Sequence, residues 1–393
     1  MPLQRLHDFL VAVSHIERRL EPPVRDVLDA VLRPPQAAVA QFLMNIRRKN
    51  EHLKLAEEKL QPNEEEDTQA IIDLMREQMR GRFKPGGFER GGNTKTHGLV
   101  RGEVTILDDL PDHVRHGVFA KPRTFRAWVR YSGPGPDVPK DIDDVGFVSM
   151  AIKLMGVDGP KLMDEEQHTQ DLICICVPTF PTPDSKTNAR LQYWSLLHQP
   201  LWYFLDPRQP HLLDFWMQSL WNKTQSNPLG EAFYSCVPYL LGEGQAMQYA
   251  FFPRSKVHRK IPGLPYGKVP DNYLHDNMVR TLDAQDVEFD IAVQVQTDSH
   301  RMPIENAGVM WPRRLSPFVT VAKLRIPRQT FNAPAQMAFA KNLKFNPWHA
   351  LPEHRPLGNQ SRTRLRLYRE LSDFRQQMNQ AKHLEPTGDE VFS

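Results

Sequence analysis

The feature that most constrains the fold is a two-residue repeat of apolar and polar side chains. Between Val287 and Gln296, large apolar residues occupy every second position, and mostly polar residues stand between them. The segment from Phe318 to Ile326 follows the same pattern. Because the side chains of a β-strand point alternately to opposite faces, both segments predict strands with one buried face. Shorter strand-like runs lie at 98–107, 126–132, 146–155, 171–177, 231–240 and 245–252.

Eight strands of this kind suit a closed antiparallel β-barrel, and helical segments around them make the fold class α+β. Apolar residues such as Leu6, Phe9 and Val13 recur at helical spacing and predict a helix face packed on the core, or alternatively on a membrane surface. Pro22-Pro23 and Pro34-Pro35 are predicted to break these helices. The predicted organisation is a helical extension at 1–85, the barrel at 86–350 with a helical aromatic insertion at about 186–228, and a helix with a C-terminal tail at 351–393.

The composition narrows the class of protein. Hydrophobic residues make up 40% and charged residues 25% of the chain, which is enough for a buried core. The net charge of +3 gives no case for nucleic-acid binding, and no apolar run approaches membrane-spanning length. Three cysteines cannot form a disulfide framework, and the first residues lack the apolar stretch of a signal peptide. We therefore expect a cytoplasmic protein, and the sequence leaves open whether it is a monomer or a homodimer.

The helix predicted near the C-terminus carries an arginine and a tyrosine four residues apart. Arg364 and Tyr368 share one face of that helix. A guanidinium beside a phenol favours the phenolate through its charge and hydrogen bonding. A phenolate is a hard anionic ligand for ferric iron, and tyrosine is one of the axial ligands found in haem proteins. Taken alone, an arginine and a tyrosine at this spacing are usually part of a solvated helix face.

A second candidate is His97, which opens the first predicted barrel strand. A neutral imidazole that points inward could move a proton between the two oxygens of a peroxide. The alternative is an ordinary hydrogen-bonded loop histidine. Downstream, Arg130 and Ser132 share one strand face, where a buried guanidinium requires an anion and a hydroxyl could orient a histidine ring.

Two of the three cysteines, Cys174 and Cys176, are separated by one residue on a predicted strand. A metal site would need further cysteine or histidine ligands nearby, and Cys236 is isolated in the sequence. The cysteines are therefore interpreted as small buried apolar residues.

Four segments in this order resemble the catalase family, and more closely its short catalase-like haem peroxidases. They are THGLVRGEVTILDD at 96–109, AWVRYS at 127–132, DDVGFVSMAIKLMG at 143–156 and FNPWHALPEHRPLGNQSRTRLRLY at 345–368. The resemblance covers about residues 90–380. It implies an eight-stranded barrel that encloses haem b with a ferric iron.

On the distal side of such a haem, the resemblance implies that His97 is the catalytic histidine and that Ser132 orients its ring. Thr96 takes a position where catalases have an apolar residue and the related allene oxide synthases have a threonine that restrains the histidine. Arg130 would bind a haem propionate.

On the proximal side, Tyr368 would be the iron ligand, with Arg364 as its hydrogen-bonding partner. Arg375 would lie near the propionates. The chain also departs from the family. Thr94 stands where catalases have a further arginine, and the position of their distal asparagine is taken by Ile175 or Cys176.

The resemblance implies a haem peroxidase that reduces organic or hydrogen peroxide with a small-molecule reductant and has weak catalase activity. One alternative is a fatty-acid hydroperoxide isomerase or lyase of the allene oxide synthase type. The other is a haem-binding protein without catalytic activity.

Overall fold

In the computed structural model, which describes residues 2–47 and 52–392, nine β-strands form a single antiparallel sheet. The strands are β1 (Thr96–Ile106), β2 (Thr124–Ser132), β3 (Ser149–Met155), β4 (Thr169–Ile175), β5 (Phe233–Tyr234), β6 (Tyr239–Leu240), β7 (Ala246–Pro253), β8 (Val287–Val295) and β9 (Val319–Ile326). Their order is β5-β4-β3-β2-β1-β9-β8-β7-β6.

The sheet closes into a barrel because β5 also pairs with β7, through Phe233 opposite Phe251 and Tyr234 opposite Ala250. The two-residue strand β6 pairs with the same partner strand β7. Strands β5 and β6 are therefore two parts of one barrel strand, interrupted at Cys236, whose φ of 59° lies in the left-handed region. Counted in this way, the barrel has eight strands, and the predicted architecture is confirmed.

The alternation of side chains fills the barrel with apolar residues. Val100, Val129 and Ile152 lie side by side on three neighbouring strands, and each is fully buried. Burial of one such aliphatic side chain stabilises the fold by roughly 1.5–3 kcal/mol. The opposite face of the same strands carries Arg130 and Lys153, which meet groups on the surrounding helices and loops.

Helices and loops surround the barrel. They are α1 (Pro2–Val27), α2 (Arg33–Arg47), α3 (Glu64–Arg82), α4 (Ser185–Leu196), α5 (Leu201–Leu205), α6 (Leu212–Trp221), α7 (Tyr273–Ala284), α8 (Pro334–Asn342) and α9 (Asn359–Asn379). Helices α3 and α9 pack on each other, and α4 to α6 form the predicted insertion. The helix predicted near the C-terminus is α9, whereas α7 and α8 follow no pattern noted in the sequence.

The N-terminal helix differs from the prediction in two ways. Pro22-Pro23 lie inside α1, and Pro34-Pro35 lie in the first turn of α2, so neither pair breaks the helix. A π turn over Leu28–Leu32 joins α1 to α2. Proline is tolerated in a first helical turn because the N–H groups there have no intrahelical partner. The predicted apolar stripe is also not packed on the core, since Leu6, Phe9 and Val13 are exposed.

No helix within residues 2–47 and 52–392 has both the length and the apolar character that a membrane crossing requires.

Candidate active site

His97 lies at an irregularity of strand β1. Thr96 pairs with Ser132 and Gly98 pairs with Tyr131, so His97 is the additional residue of a β-bulge. A bulge leaves one residue without a partner and redirects its side chain, and such bulges are common next to active sites. The residue is 1% exposed, and its backbone carbonyl accepts a hydrogen bond from Nδ1 of His275 at 2.7 Å.

The imidazole of His97 is buried without a hydrogen-bond partner on either nitrogen. Its nearest acidic atom is Oδ1 of Asp141, 3.7 Å from Nδ1, and that carboxylate pairs with Lys95 at 2.7 Å. Burial lowers the pKa of His97 to about 3, and the positive charges of Lys95 and Arg130 act in the same direction. The ring is therefore neutral at physiological pH and has a free lone pair, which a general base requires.

The two residues expected to hold the ring of His97 have other roles in the structure. The hydroxyl of Thr96 accepts a hydrogen bond from Nη2 of Arg130 at 2.7 Å. Ser132 is buried opposite Thr96 in the strand register, and it forms no hydrogen bond with the ring of His97. Their proposed action on His97 stays a prediction.

Three arginine side chains meet next to this histidine. Arg130 and Arg375 are almost fully buried, and Arg90 joins them from the loop before β1. Burial lowers the pKa of Arg130 to about 9 and that of Arg375 to about 10, and for Arg130 the charge of Arg375 adds to the effect. The pKa of Arg90 lies well below its usual range because of burial and because of the other two guanidinium groups.

Within residues 2–47 and 52–392, this arginine cluster, formed by Arg90, Arg130 and Arg375, has no ion pair with an acid. The one carboxylate in these ranges that acts on it electrostatically is Glu89, which is paired with Lys341 at 2.7 Å. Buried nitrogens without hydrogen-bond partners remain on all three side chains: Nη1 of Arg90, Nε of Arg130 and Nε of Arg375. Buried charges are stable when they are paired, so the cluster has the donor set of a site for an anion with more than one carboxylate or phosphate group.

Of the three, Arg90 was missed in the sequence because the family pattern directs attention to position 94. The structure has Thr94 there, and its hydroxyl donates to the backbone carbonyl of Arg90 at 2.8 Å. The pair Gly91-Gly92 lies between them, and the space around Gly91 is so narrow that an added Cβ would lie 3.2 Å from Met75 and Met79. The sequence feature that could have identified Arg90 is its position directly before the glycine pair Gly91-Gly92.

Tyr368 and Arg364 lie on α9, as predicted, and neither forms a hydrogen bond with the ring of His97. Tyr368 is half-buried and packs against the apolar cluster between α3 and α9, which includes Met75 and Leu371. The guanidinium of Arg364 lies 4.9 Å from the centre of the Phe180 ring, and it forms no hydrogen bond with Tyr368. Within the described residues, no hydrogen bond or ion pair joins Tyr368 to His97.

Arg364 and Tyr368 nevertheless act on the same neighbour, Tyr239 of β6. Burial raises the pKa of the Tyr239 phenol, the positive charge of Arg364 lowers it, and Tyr368 raises it. Arg364 and Tyr368 therefore both lie near β6, which is consistent with their position on one face of α9.

Cys176 occupies the region where an asparagine was expected from the family. Its thiol accepts a hydrogen bond from the backbone N–H of Val148 at 3.1 Å. Burial raises the pKa of Cys176 to about 12. All three cysteines are buried and free, so their interpretation as small buried residues is confirmed.

A second charged cluster lies between β3, β4 and the segment before α9. Glu166, Asp171 and His349 place three potential metal-ligand atoms within 4.8 Å of one another. Nζ of Lys153 lies 2.7 Å from Asp171 and also contacts Glu166, so the cluster already contains a cation. This buried charge cluster is therefore explained by its own ion pairs, and nothing in the sequence patterns predicted it.

Comparisons with known proteins connect this arrangement to one fold. No family model and no curated protein matches the sequence. Among solved structures, a fungal catalase matches with 16% identity and a TM-score of 0.57 over 77% of this chain, and catalase A from Saccharomyces cerevisiae matches with 14% identity and a TM-score of 0.58 over 73%. A bacterial catalase matches with 13% identity and a TM-score of 0.50 over 76%.

The chain therefore has the catalase fold, with the closed antiparallel barrel and flanking helices that the sequence predicted. It spans 63%, 61% and 60% of the length of those three catalases. Since a shared fold can support different activities, the activity has to be argued from the site.

Proposed function

We propose that this protein is a haem-dependent peroxidase that reduces organic or hydrogen peroxide and has weak catalase activity. The observation that carries the proposal is a buried, neutral histidine without hydrogen-bond partners, next to a cluster of buried arginines without acidic partners. A proton acceptor beside an anion site is what a peroxidase of the catalase fold requires. The likeness to catalases supports haem as the cofactor.

The residues fit haem b at its acidic edge. Arg90, Arg130 and Arg375 would bind the two propionates, which supply the negative charge that the arginine cluster lacks. Tyr368 would bind the iron through its phenolic oxygen, with Arg364 one helical turn earlier on the same helix. When bound, haem would supply a ferric iron that coordinates the peroxide and accepts oxidising equivalents from it.

His97 would then carry the proton in the reaction. Its free imidazole nitrogen would accept the proton of the hydroperoxide and return it to the outer oxygen as the O–O bond breaks. That oxygen leaves as water or as an alcohol. A small-molecule reductant would supply two electrons and two protons, so that the second oxygen of the peroxide leaves as water.

The test is an absorption spectrum of the purified protein, recorded before and after addition of hydrogen peroxide and of a fatty-acid hydroperoxide, followed by product analysis. We expect a haem spectrum and, with a reductant present, the alcohol that corresponds to each hydroperoxide. A protein that contains no haem after expression with ample haem supply would overturn the proposal. Rearranged fatty-acid products formed without any reductant would indicate an isomerase instead.

Replacement of Arg375 by methionine should affect haem binding and the stability of the haem-free protein in opposite directions. Loss of a charge-assisted contact of about 1.5–3 kcal/mol corresponds to roughly a tenfold to hundredfold weaker haem affinity. The free energy of unfolding without haem should rise by roughly 1 kcal/mol, because a buried guanidinium without an acid partner is removed. Haem titration and denaturant unfolding of the haem-free protein measure the two effects.

The matched control is Arg366→Met on the same helix. Arg366 pairs with Glu65 and Glu370 near the surface, so its loss should leave haem affinity unchanged. If Arg375→Met lowers both haem affinity and the stability of the haem-free protein, Arg375 has a structural role and the anion site is wrongly assigned.

Hydrogen peroxide disproportionation should be slow relative to peroxidase turnover. A catalase must hold a second, small and polar peroxide in the site, whereas an organic hydroperoxide is also anchored by its apolar part. Cys176, a weak hydrogen-bonding group, already accepts the Val148 N–H. Oxygen evolution, measured beside the oxidation of a phenolic dye, tests this expectation, and oxygen release as fast as in an efficient catalase would contradict it.

A further inference from the structure

The N-terminal helices form one long rod on the outside of the barrel. Helix α1, the π turn over Leu28–Leu32 and α2 follow one another without a break from Pro2 to Arg47. At about 1.5 Å per residue, such a rod is roughly 70 Å long.

The face of α1 that lies on the barrel is largely polar, whereas α2 packs Ala40 and Met44 against Met217 and Leu220 of α6. Glu21 is 3% exposed and binds the guanidinium groups of Arg25 and Arg33. Those arginines in turn donate to the backbone carbonyls of Thr224 and Asn222. The inward contacts of α1 are thus ion pairs and hydrogen bonds rather than apolar packing.

The opposite face is apolar and exposed, which inverts the usual arrangement of a surface helix. Apolar residues of the rod recur with an eleven-residue period: Val24, Val27 and Val31 repeat the spacing of Val13, Ile16 and Leu20. Such a period keeps the stripe nearly parallel to the helix axis. The wider π turn then brings the apolar residues of α2 to the same side. The residues of this stripe are between 40% and 64% exposed: Leu6, Phe9, Val13, Ile16, Leu20, Val24, Val27, Val31, Leu32, Val39, Phe42, Leu43 and Ile46.

The size of the stripe exceeds what a monomer normally exposes. Its side chains present on the order of 1,000 Å² of apolar surface, whereas the largest patch on a typical monomer is roughly 300–600 Å². One partner of a stable protein interface contributes about 800 Å². The stripe alone is therefore large enough to form a stable interface.

The stripe is also nearly symmetric along the chain. Exposed apolar residues stand at equal distances on either side of Asp26, in the pairs Leu6 and Ile46, Phe9 and Leu43, Val13 and Val39, and Leu20 and Leu32. A two-fold contact between identical surfaces brings each residue of a pair opposite the other.

We propose that a second copy of this chain covers the stripe, with the two rods packed antiparallel about a two-fold axis near Asp26. Apolar residues from the N-terminal half of each rod then face apolar residues from the C-terminal half of the other. A continuous apolar stripe along one side of a helical segment favours side-by-side packing of two helices.

The charges beside the stripe favour a second copy over a lipid surface. A helix that lies on anionic lipid is rich in lysine and arginine on its polar face. Residues 2–47 contain no lysine, Arg18 is buried, and Arg25 and Arg33 pair with Glu21 of the rod itself. Exposed acids such as Asp8 and Asp26 would oppose binding to such a membrane.

The first experiment measures self-association of the full chain by sedimentation over a wide range of protein concentration. The wild type should be a dimer, and Val27→Glu should weaken association by about a hundredfold or more, because the two-fold contact buries the new charge twice. Val391→Glu is the matched control, since Val391 is 90% exposed in the C-terminal tail. A wild type that stays monomeric throughout would overturn the proposal, as would flotation with phosphatidylcholine or phosphatidylserine vesicles that Val27→Glu abolishes.

The second experiment tests the antiparallel register by disulfide cross-linking. Two cysteines introduced as Leu20→Cys and Leu32→Cys are about 18 Å apart on one rod, too far for a disulfide within the chain. Under mild oxidation this double variant should give a covalent dimer, because position 20 faces position 32 of the second copy. The native cysteines are buried and should not interfere. Rapid cross-linking of the single variant Leu20→Cys would indicate parallel rods and would overturn the antiparallel packing.

Discussion

Replacement of Tyr368 by phenylalanine should remove most of the haem from the purified protein, or should change the spectrum of whatever haem remains. The substitution keeps the ring that packs between α3 and α9 and removes only the phenolic oxygen. Because that oxygen is the proposed iron ligand, its loss should weaken haem binding by more than the tenfold to hundredfold typical of residues that merely support a metal ligand. Haem content per chain and the absorption spectrum are the measurements.

Tyr239→Phe is the matched control for this substitution. The Tyr239 side chain is buried beside Tyr249, and burial raises the pKa of its phenol, which disfavours the phenolate. This variant should keep its haem and its spectrum. If Tyr239→Phe loses haem while Tyr368→Phe retains an unaltered spectrum, the iron ligand has been assigned to the wrong tyrosine.

His97→Ala should reduce the peroxidase rate by about a hundredfold to ten-thousandfold, the usual contribution of a general acid–base group. Haem content should stay near that of the wild type, because His97 is proposed to act on the peroxide and not on the iron. His97→Gln fills more of the same space without a basic nitrogen and should be similarly slow. The exposed His113 supplies the control, since His113→Ala should leave the rate unchanged. A haem-loaded His97→Ala protein with the wild-type rate would exclude the role.

The pH dependence provides a second readout of His97. With its pKa lowered to about 3, the folded ring stays neutral as the pH falls from 8 towards 4, so protonation of His97 should not slow the reaction there. In the unfolded chain the same ring accepts a proton near pH 6.5. The stability that the neutral ring contributes is therefore present above about pH 6.5 and is lost progressively as the pH falls towards 3. Unfolding of His97→Ala should depend less steeply on pH in that window than unfolding of the wild type.

The sequence predicted the barrel well because strand alternation is a local property. The run over 231–240 was predicted as one strand and is two, since the pattern does not reveal the left-handed backbone at Cys236. Helix α7 was missed even though Leu274, Met278 and Leu282 recur at helical spacing and are buried. The apolar stripe of α1 was recognised, but amphipathicity shows which helix face is apolar and not what that face meets.

The candidate site was predictable only in part. The motifs singled out His97 and Arg130, and in the structure the charge of Arg130 acts on the ring of His97. Arg90 reaches the same cluster from the loop that contains Gly91 and Gly92, and no sequence motif predicts the conformation of that loop. Contacts such as the hydrogen bond from Arg130 to Thr96 depend on side-chain rotamers. These rotamers are determined by the surrounding packing and cannot be predicted from the spacing of residues in the sequence.

The buried charge cluster around Lys153 also controls how two strands of the barrel align. Lys153 of β3 stands directly opposite Asp171 of β4, and the neighbouring pair Ile152 and Leu172 faces the apolar interior. A shift of one residue in this pairing would turn Lys153 inwards and leave its ammonium without a carboxylate. An unpaired buried charge costs several kcal/mol, so misaligned versions of this hairpin are strongly disfavoured. The ion pairs of Lys153 therefore favour the native strand register over shifted ones, whether or not they add net stability to the native barrel.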